Sequence, residues 1–190
     1  EYRGTINIKA ILTILKQMKK KLSAESAYLE VEFPYFIEKR APVSGARSLM
    51  GYTCRFLASL IGGRHSLTVG VTVPVTTLCP CSKELSEKGA HNQRGLVTVQ
   101  VRFRKFFWIE DLIKMIEHSA SAAVFSLLKR SDEKYVTEKA YENPMFVEDV
   151  VRNVALRLGR QANITWFGVE SENLESIHNH NAYAYVEKPE

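Results

Sequence analysis

Residues 67–103 read LTVGVTVPVTTLCPCSKELSEKGAHNQRGLVTVQVRF. Leu67, Val69, Val71, Val73 and Val75 alternate with Thr68, Gly70, Thr72, Pro74 and Thr76. Val97, Val99, Val101 and Phe103 repeat the alternation after His91. A period of two predicts two strands, each with one buried side, and the polar span between them predicts an antiparallel pair joined by a loop. That loop carries Cys79, Cys81, Lys83, His91 and Arg94. A thiolate and an imidazole both bind borderline metals, and Pro80 fixes the turn that presents the thiols. The cations beside them suit an anionic substrate. Cys-x-Cys alone is more often two ordinary cysteines in a solvated loop, so the pair decides nothing by itself.

Outward from this hairpin the pattern alternates between periods of two and 3.6. Upstream, Ile8, Ile11, Leu12, Leu15, Met18 and Leu22 fall at helical spacing and predict an amphipathic helix over 6–23. Its lysine-rich outer face reads as solvated. Leu29, Val31 and Phe33 alternate with Tyr28, Glu30 and Glu32 as a strand, and Pro42 and Gly45 mark a loop before a second strand near 52–60. Downstream, Ile109, Leu112, Ile113, Ile116, Ala123 and Leu127 predict one helix. A second is expected with Asn143 as N-cap and Pro144 in the first position, running through Val147, Val150, Val151, Val154 and Leu158. Residues 130–142 read as a polar connection between them. Strands near 164–170 and 182–187 close the chain around a turn rich in carboxylates and histidines, Ser171–Asn181. Strand-strand-helix-helix-strand-strand is an α+β unit, an antiparallel sheet with two helices on one face.

Composition sets the outer bounds. The chain has 190 residues, enough for one large domain or two small ones with a packed core. A formal charge of +5 suits a polyanionic small molecule as readily as a nucleic acid. Three cysteines, two of them one residue apart, make a poor disulfide framework, so reduced thiols in a cytoplasmic protein are expected. No apolar run approaches the ~20 residues of a membrane-spanning helix. The sequence starts at Glu1 without methionine, so a native N-terminus is not expected there.

Several long blocks in order carry more than any short motif. Leu78-Cys79-Pro80-Cys81-Ser82-Lys83 is followed by Gly89-Ala90-His91-Asn92-Gln93-Arg94, Asp132–Pro144, Phe146-Val147-Glu148-Asp149 and Val169–His180. Ala41-Pro42-Val43-Ser44-Gly45-Ala46-Arg47 precedes them. From about Phe33 to the C-terminus these blocks resemble the type IB GTP cyclohydrolases, the prokaryotic enzymes that open GTP at the start of folate synthesis. The resemblance implies a tunnelling fold, with 1–62 a partial first module and 63–190 a second module carrying a metal site.

It also implies a reaction. GTP gains water at C8, the imidazole ring opens, formate leaves, and the ribose recloses into 7,8-dihydroneopterin triphosphate. Water attacks C8 at neutral pH only where a bound metal lowers its pKa toward ~7. Cys79, His91 and Glu133 match the family's metal positions, and a mixed sulfur, nitrogen and oxygen set is compatible with zinc, manganese or iron. Cys79 also heads the catalytic set, with Cys81 lining the same pocket. Glu175 and His178 match active-site positions; a histidine titrating near neutrality can protonate the leaving nitrogen or activate water. His180 stands as their outer neighbour, and His65 and His118 read as structural. Glu148 matches the carboxylate that accepts two hydrogen bonds from guanine, its alternative being a surface pair with Arg152. Lys83, Arg94, Lys134, Lys139 and Arg47 are candidates for the triphosphate, although each lysine alone reads as solvated.

The expected partners are GTP and further copies of the chain in a homotetramer, with active sites at subunit junctions. Neither nucleic acid nor membrane is expected. Two other readings compete. One is a tunnelling-fold nitrile reductase acting on a deazaguanine with one nucleophilic cysteine and NADPH. The metal trio and the lack of a dinucleotide loop oppose it. The other is a non-catalytic basic module binding nucleic acid through the Lys16–Lys21 face, which predicts strong salt dependence.

Overall fold

The computed structural model describes residues 8–189. In chain order it holds α1 (Ile8–Lys21), β1 (Ser26–Arg40), β2 (Arg47–Ile61), β3 (Arg64–Leu78), α2 (Pro80–Leu85), β4 (Asn92–Phe103) and α3 (Ile109–Glu117). β5 (Ala122–Ala123), α4 (Arg130–Glu142), α5 (Val147–Gly159), β6 (Ile164–Leu174) and β7 (Ala182–Glu187) follow. The strands form one antiparallel sheet in the order β1-β2-β3-β4-β6-β7, with β5 beside β3. The expected alternation holds, with Val71, Val73, Val75, Val97, Val99 and Val101 all buried on one face. Leu112, Ile113 and Ile116 of α3 and Val150, Val154 and Leu158 of α5 pack on that face. Sheet plus two helices on one side is thus the observed α+β core. Ile11 and Leu15 of α1 bury a smaller cluster with Ala27, Ala58 and Leu60. No helix among the described residues is long and apolar enough to cross a membrane.

Boundaries differ from expectation in instructive places. Residues 6 and 7 of the first predicted helix lie outside the described residues, and Leu22 falls past α1, 72% exposed. β2 starts at Arg47, so Arg47 is a strand residue and not part of the loop. α3 stops at Glu117; Ala123 belongs to β5, and Leu127 is exposed. The cause is a gap in the sheet. β2 pairs with β3 only as far as Thr53–Thr72, and Ala122–Ala123 takes its place against Val75–Thr76. Residues 130–142 are a helix and not a connection. They were missed because α4 has no apolar stripe and buries only Asp132 and Ala140. Asn143 therefore ends α4, and the second predicted helix starts later, at Val147. Pro144 disfavours helical geometry at Asn143 and stops α4 there. The Gly62–Gly63 turn between β2 and β3 has positive φ at both glycines (52° and 84°), the geometry that a two-residue hairpin favours.

Buried polar groups fasten α3 and α4 to the sheet. Tyr35 Oη donates to Glu110 in the first turn of α3 (2.5 Å), a bond that, with burial, pushes the phenol up to about 12. At the other end Glu117 accepts from Tyr52 Oη (2.8 Å) and Lys39 Nζ (2.6 Å). Burial draws the Lys39 ammonium below its ordinary value against the pull of Glu117. Asp132 is fully buried and accepts from the Val43, Ser44 and Lys129 amides (2.8 Å each) and from Ser44 Oγ (2.6 Å). Burial alone would raise this carboxyl. The bonds from Ser44, Lys129 and Val43 outweigh it and hold the group well below the usual carboxylate range. Asp132 thus caps α4 and ties the 41–46 loop to it.

Candidate functional site

The site forms where β3 ends and β4 begins. Cys79 N–H donates to the His91 carbonyl (3.1 Å), closing the loop between the strands. Pro80 opens α2, and the Ser82 amide donates to Cys79 Sγ (3.4 Å), which fixes the direction of the sulfur. Ser82 Oγ in turn accepts from the His91 amide (3.2 Å). Cys79 and His91 are therefore set by a single turn.

The His91 ring has a defined polarity. Its Nδ1 lies 3.1 Å from Gln93 Oε1. Ser176 Oγ lies 3.4 Å from the same nitrogen. An amide oxygen only accepts, so the tautomer that suits Gln93 is the one with the proton on Nδ1, which leaves Nε2 for a ligand. The His178 ring sits edge-on to it at 6.5 Å, and His180 stacks on His178 at 5.3 Å.

Cys79, His91, Glu175, His178 and Glu148 line one cavity of about 240 Å³. Gln93 and Asn173 contribute polar groups, Met145, Phe146 and Val147 an apolar wall, and His180 and Ala182 the remainder. Glu148 is the second residue of α5, where a helix start favours a carboxylate. Arg152 pairs with Asp149 (2.6 Å), so the alternative surface pairing of Glu148 is not the one formed. Two hollows are larger. One, of about 500 Å³, is walled by aromatics such as Phe33, Phe103 and Trp108; the other, of about 580 Å³, runs between α5 and β7. Neither gathers thiol, imidazole and carboxylate together, and chemistry rather than size selects the smaller one.

The remaining predicted site residues lie outside this cavity. Cys81 is exposed on α2. Glu133, on α4, faces Arg130 at 3.5 Å. Among the described residues no three His, Cys, Asp or Glu side chains are grouped to hold a metal ion, so Glu133 does not complete a trio with Cys79 and His91 here. Lys83 Nζ donates to the Tyr141 carbonyl (2.5 Å) and sits over its ring. Lys134 pairs with Glu138 (3.8 Å), Lys139 lies over the Tyr135 ring, and Arg47 pairs with Glu38 (3.5 Å). Arg94 is exposed on β4. Gln93 and Asn173 were not anticipated. Strand parity was the available signal, since each lies two residues from a predicted site residue.

Comparison with known proteins gives the family. Residues 1–184 match the family described as type I GTP cyclohydrolase folE2. A GTP cyclohydrolase FolE2 of Syntrophus aciditrophicus is 65% identical over 188 residues, covering 99% of this chain and 74% of the relative. That of Citrifermentans bemidjiense is 61% identical over 99% of this chain and 70% of the relative. Among solved structures, uricase of Arthrobacter globiformis aligns over 97% of this chain and 70% of its own (TM-score 0.52, 10% identity). A uricase from Bacillus fastidious covers 98% and 68% (TM-score 0.54, 8% identity). The uricase likeness speaks for an α+β fold of the tunnelling type alone.

Proposed function

The chain belongs to the type I GTP cyclohydrolase family, and we propose that the cavity between β3, β4, β6 and α5 is where it opens GTP. It is a GTP cyclohydrolase of folate biosynthesis. One observation carries the placement of its site: thiol, imidazole and carboxylate groups from separate elements converge on a single hollow.

In this reading Glu148 accepts from guanine N1–H and the exocyclic amine, which aims the imidazole half of the purine at Cys79 and His91. His178 exchanges protons with the opening ring, and Glu175 orients it. The donor set suits a divalent metal: Cys79 offers a thiolate, and His91 offers an Nε2 left free by its bond to Gln93. Zinc, manganese or iron would supply activation of the attacking water. Glu133 as third ligand requires α4 to approach the loop, while Glu175 and His178 already line the cavity. Cys81, exposed on α2, is the second thiol offered to the reaction, from outside the cavity lining. Lys83, Arg94, Lys134, Lys139 and Arg47 are the cations offered to the triphosphate.

The product is 7,8-dihydroneopterin triphosphate, with formate released. The protein works as a homotetramer in the reducing cytoplasm, its tunnelling-fold modules, 1–62 and 63–190, meeting those of other subunits at the sites. The test is GTP turnover, followed as pterin fluorescence after oxidation, together with metal analysis of the purified protein. A protein that carries metal but leaves GTP intact would overturn the reading.

A further inference from the structure

Asn173 lines the cavity yet is only 2% exposed. Its Oδ1 is buried and has no hydrogen-bond partner among the described residues, and Thr77 Oγ1 nearby is in the same condition. An amide oxygen left unpaired there costs about 1–3 kcal/mol, which the fold bears in holding the side chain in this pose. The backbone makes room for it. Asn173 pairs across the ladder with Gly95, and a Cβ on Gly95 would stand 2.9 Å from Asn173 Oδ1 and 3.1 Å from Val75 Cγ2. Any side chain there would drive the amide from its seat. With the oxygen turned onto Gly95, the amide nitrogen is the end left toward the cavity.

We propose that Asn173 is a further catalytic residue, donating from its side-chain nitrogen to N7 of the purine. This rests on GTP being the substrate. The guanine base offers donors along its N1–H and amine edge, which a carboxylate such as Glu148 takes, and a bare acceptor at N7, which requires a donor. Asn173 lies on the same sheet face as Gln93, the residue that holds His91, and so at the reacting end of the cavity. A hydrogen bond to N7 withdraws electron density from the adjoining C8, where water adds. It also orients the ring about the axis that the Glu148 contact leaves free.

The test compares GTP with 7-deaza-GTP, which carries C–H in place of N7 and so cannot accept this bond. In the holoenzyme, Asn173→Ala should lower kcat/KM for GTP roughly five- to tenfold, the scale of one lost neutral hydrogen bond. The inhibition constant of 7-deaza-GTP should stay within about twofold or improve. Asn173→Leu keeps the approximate shape and removes the donor without adding charge, and should give the same pattern. Gly95→Ala, which displaces the amide without altering it, provides a second route. Parallel losses for both nucleotides would reduce Asn173 to a scaffold residue, and an unchanged kcat/KM for GTP would remove it from the site; either overturns the proposal. A wild-type protein that neither turns over GTP nor is inhibited by 7-deaza-GTP would bring down the activity reading itself, and needs no variant to be recognised.

Discussion

Replacing Glu148 with alanine should separate base recognition from everything else the cavity does. Glu148 is exposed in the first turn of α5, and Arg152, its nearest potential partner, is engaged by Asp149. Among the described residues the carboxylate makes no hydrogen bond or ion pair of its own to lose. Removing it from a helix start costs about 0.3–1 kcal/mol of stability. The proposed pair of charge-assisted bonds to guanine would be worth about 1.5–3 kcal/mol, with each tenfold change ~1.4 kcal/mol. Glu148→Ala should thus raise KM for GTP roughly ten- to a hundredfold while the melting temperature moves by a few degrees at most. Metal content should match the wild type, because Cys79 and His91 sit on a separate turn. Steady-state pterin fluorescence gives KM and elemental analysis gives the metal. An unchanged KM would reduce Glu148 to a surface residue, and concurrent metal loss would show that it is a ligand instead.

Cys79→Ala and His91→Ala should each abolish turnover and deplete the metal while circular dichroism stays native; Glu133→Gln tests whether α4 closes on the site, and full activity with full metal would exclude it. Asp132 has a folded pKa below its unfolded one, so its contribution is present above about pH 4 and is lost as pH falls through the folded value. Thermal melts from pH 6 to pH 2 should show the wild type converging on Asp132→Asn at the acid end, and parallel curves would refute this. A homotetramer should appear in light scattering, and mixing inactive Cys79→Ala subunits with Arg47→Ala subunits should restore some turnover if Arg47 reaches across; a fully active monomer would end that idea.

What the sequence disclosed depended on how each element is buried. β3 and β4 alternate cleanly because one sheet face is covered by helices, and a period of two survives any change in the surroundings. α4 has no such signature, because its anchor is one buried carboxylate and not a stripe. The stretch Ser119–Ala123 misled for the opposite reason: small buried residues continue the α3 period, but their place is set by the gap that β2 leaves beside β3. At the site, Cys79, His91, Glu148, Glu175 and His178, named from the family resemblance, line one cavity. Gln93 and Asn173 were not so named, since an amide acquires meaning only from what it faces.

The order of the strands also bears on how the molecule comes together in time. β3 and β4 are joined by the thirteen residues 79–91, whereas the next neighbour of β4 is β6, sixty residues on (104–163). Closing the longer span costs about 1.4 kcal/mol more chain entropy. By loop length alone, the hairpin bearing Cys79 and His91 is the more local unit, and Asn173, Glu175 and His178 join it only when β6 closes against β4. On that order a thiol and an imidazole would share one turn before the rest of the cavity lining is assembled. If the turn takes up a metal as proposed, an ion present at that moment would meet an open two-donor site, and which ion is enclosed would depend on supply during folding as well as on affinity afterwards.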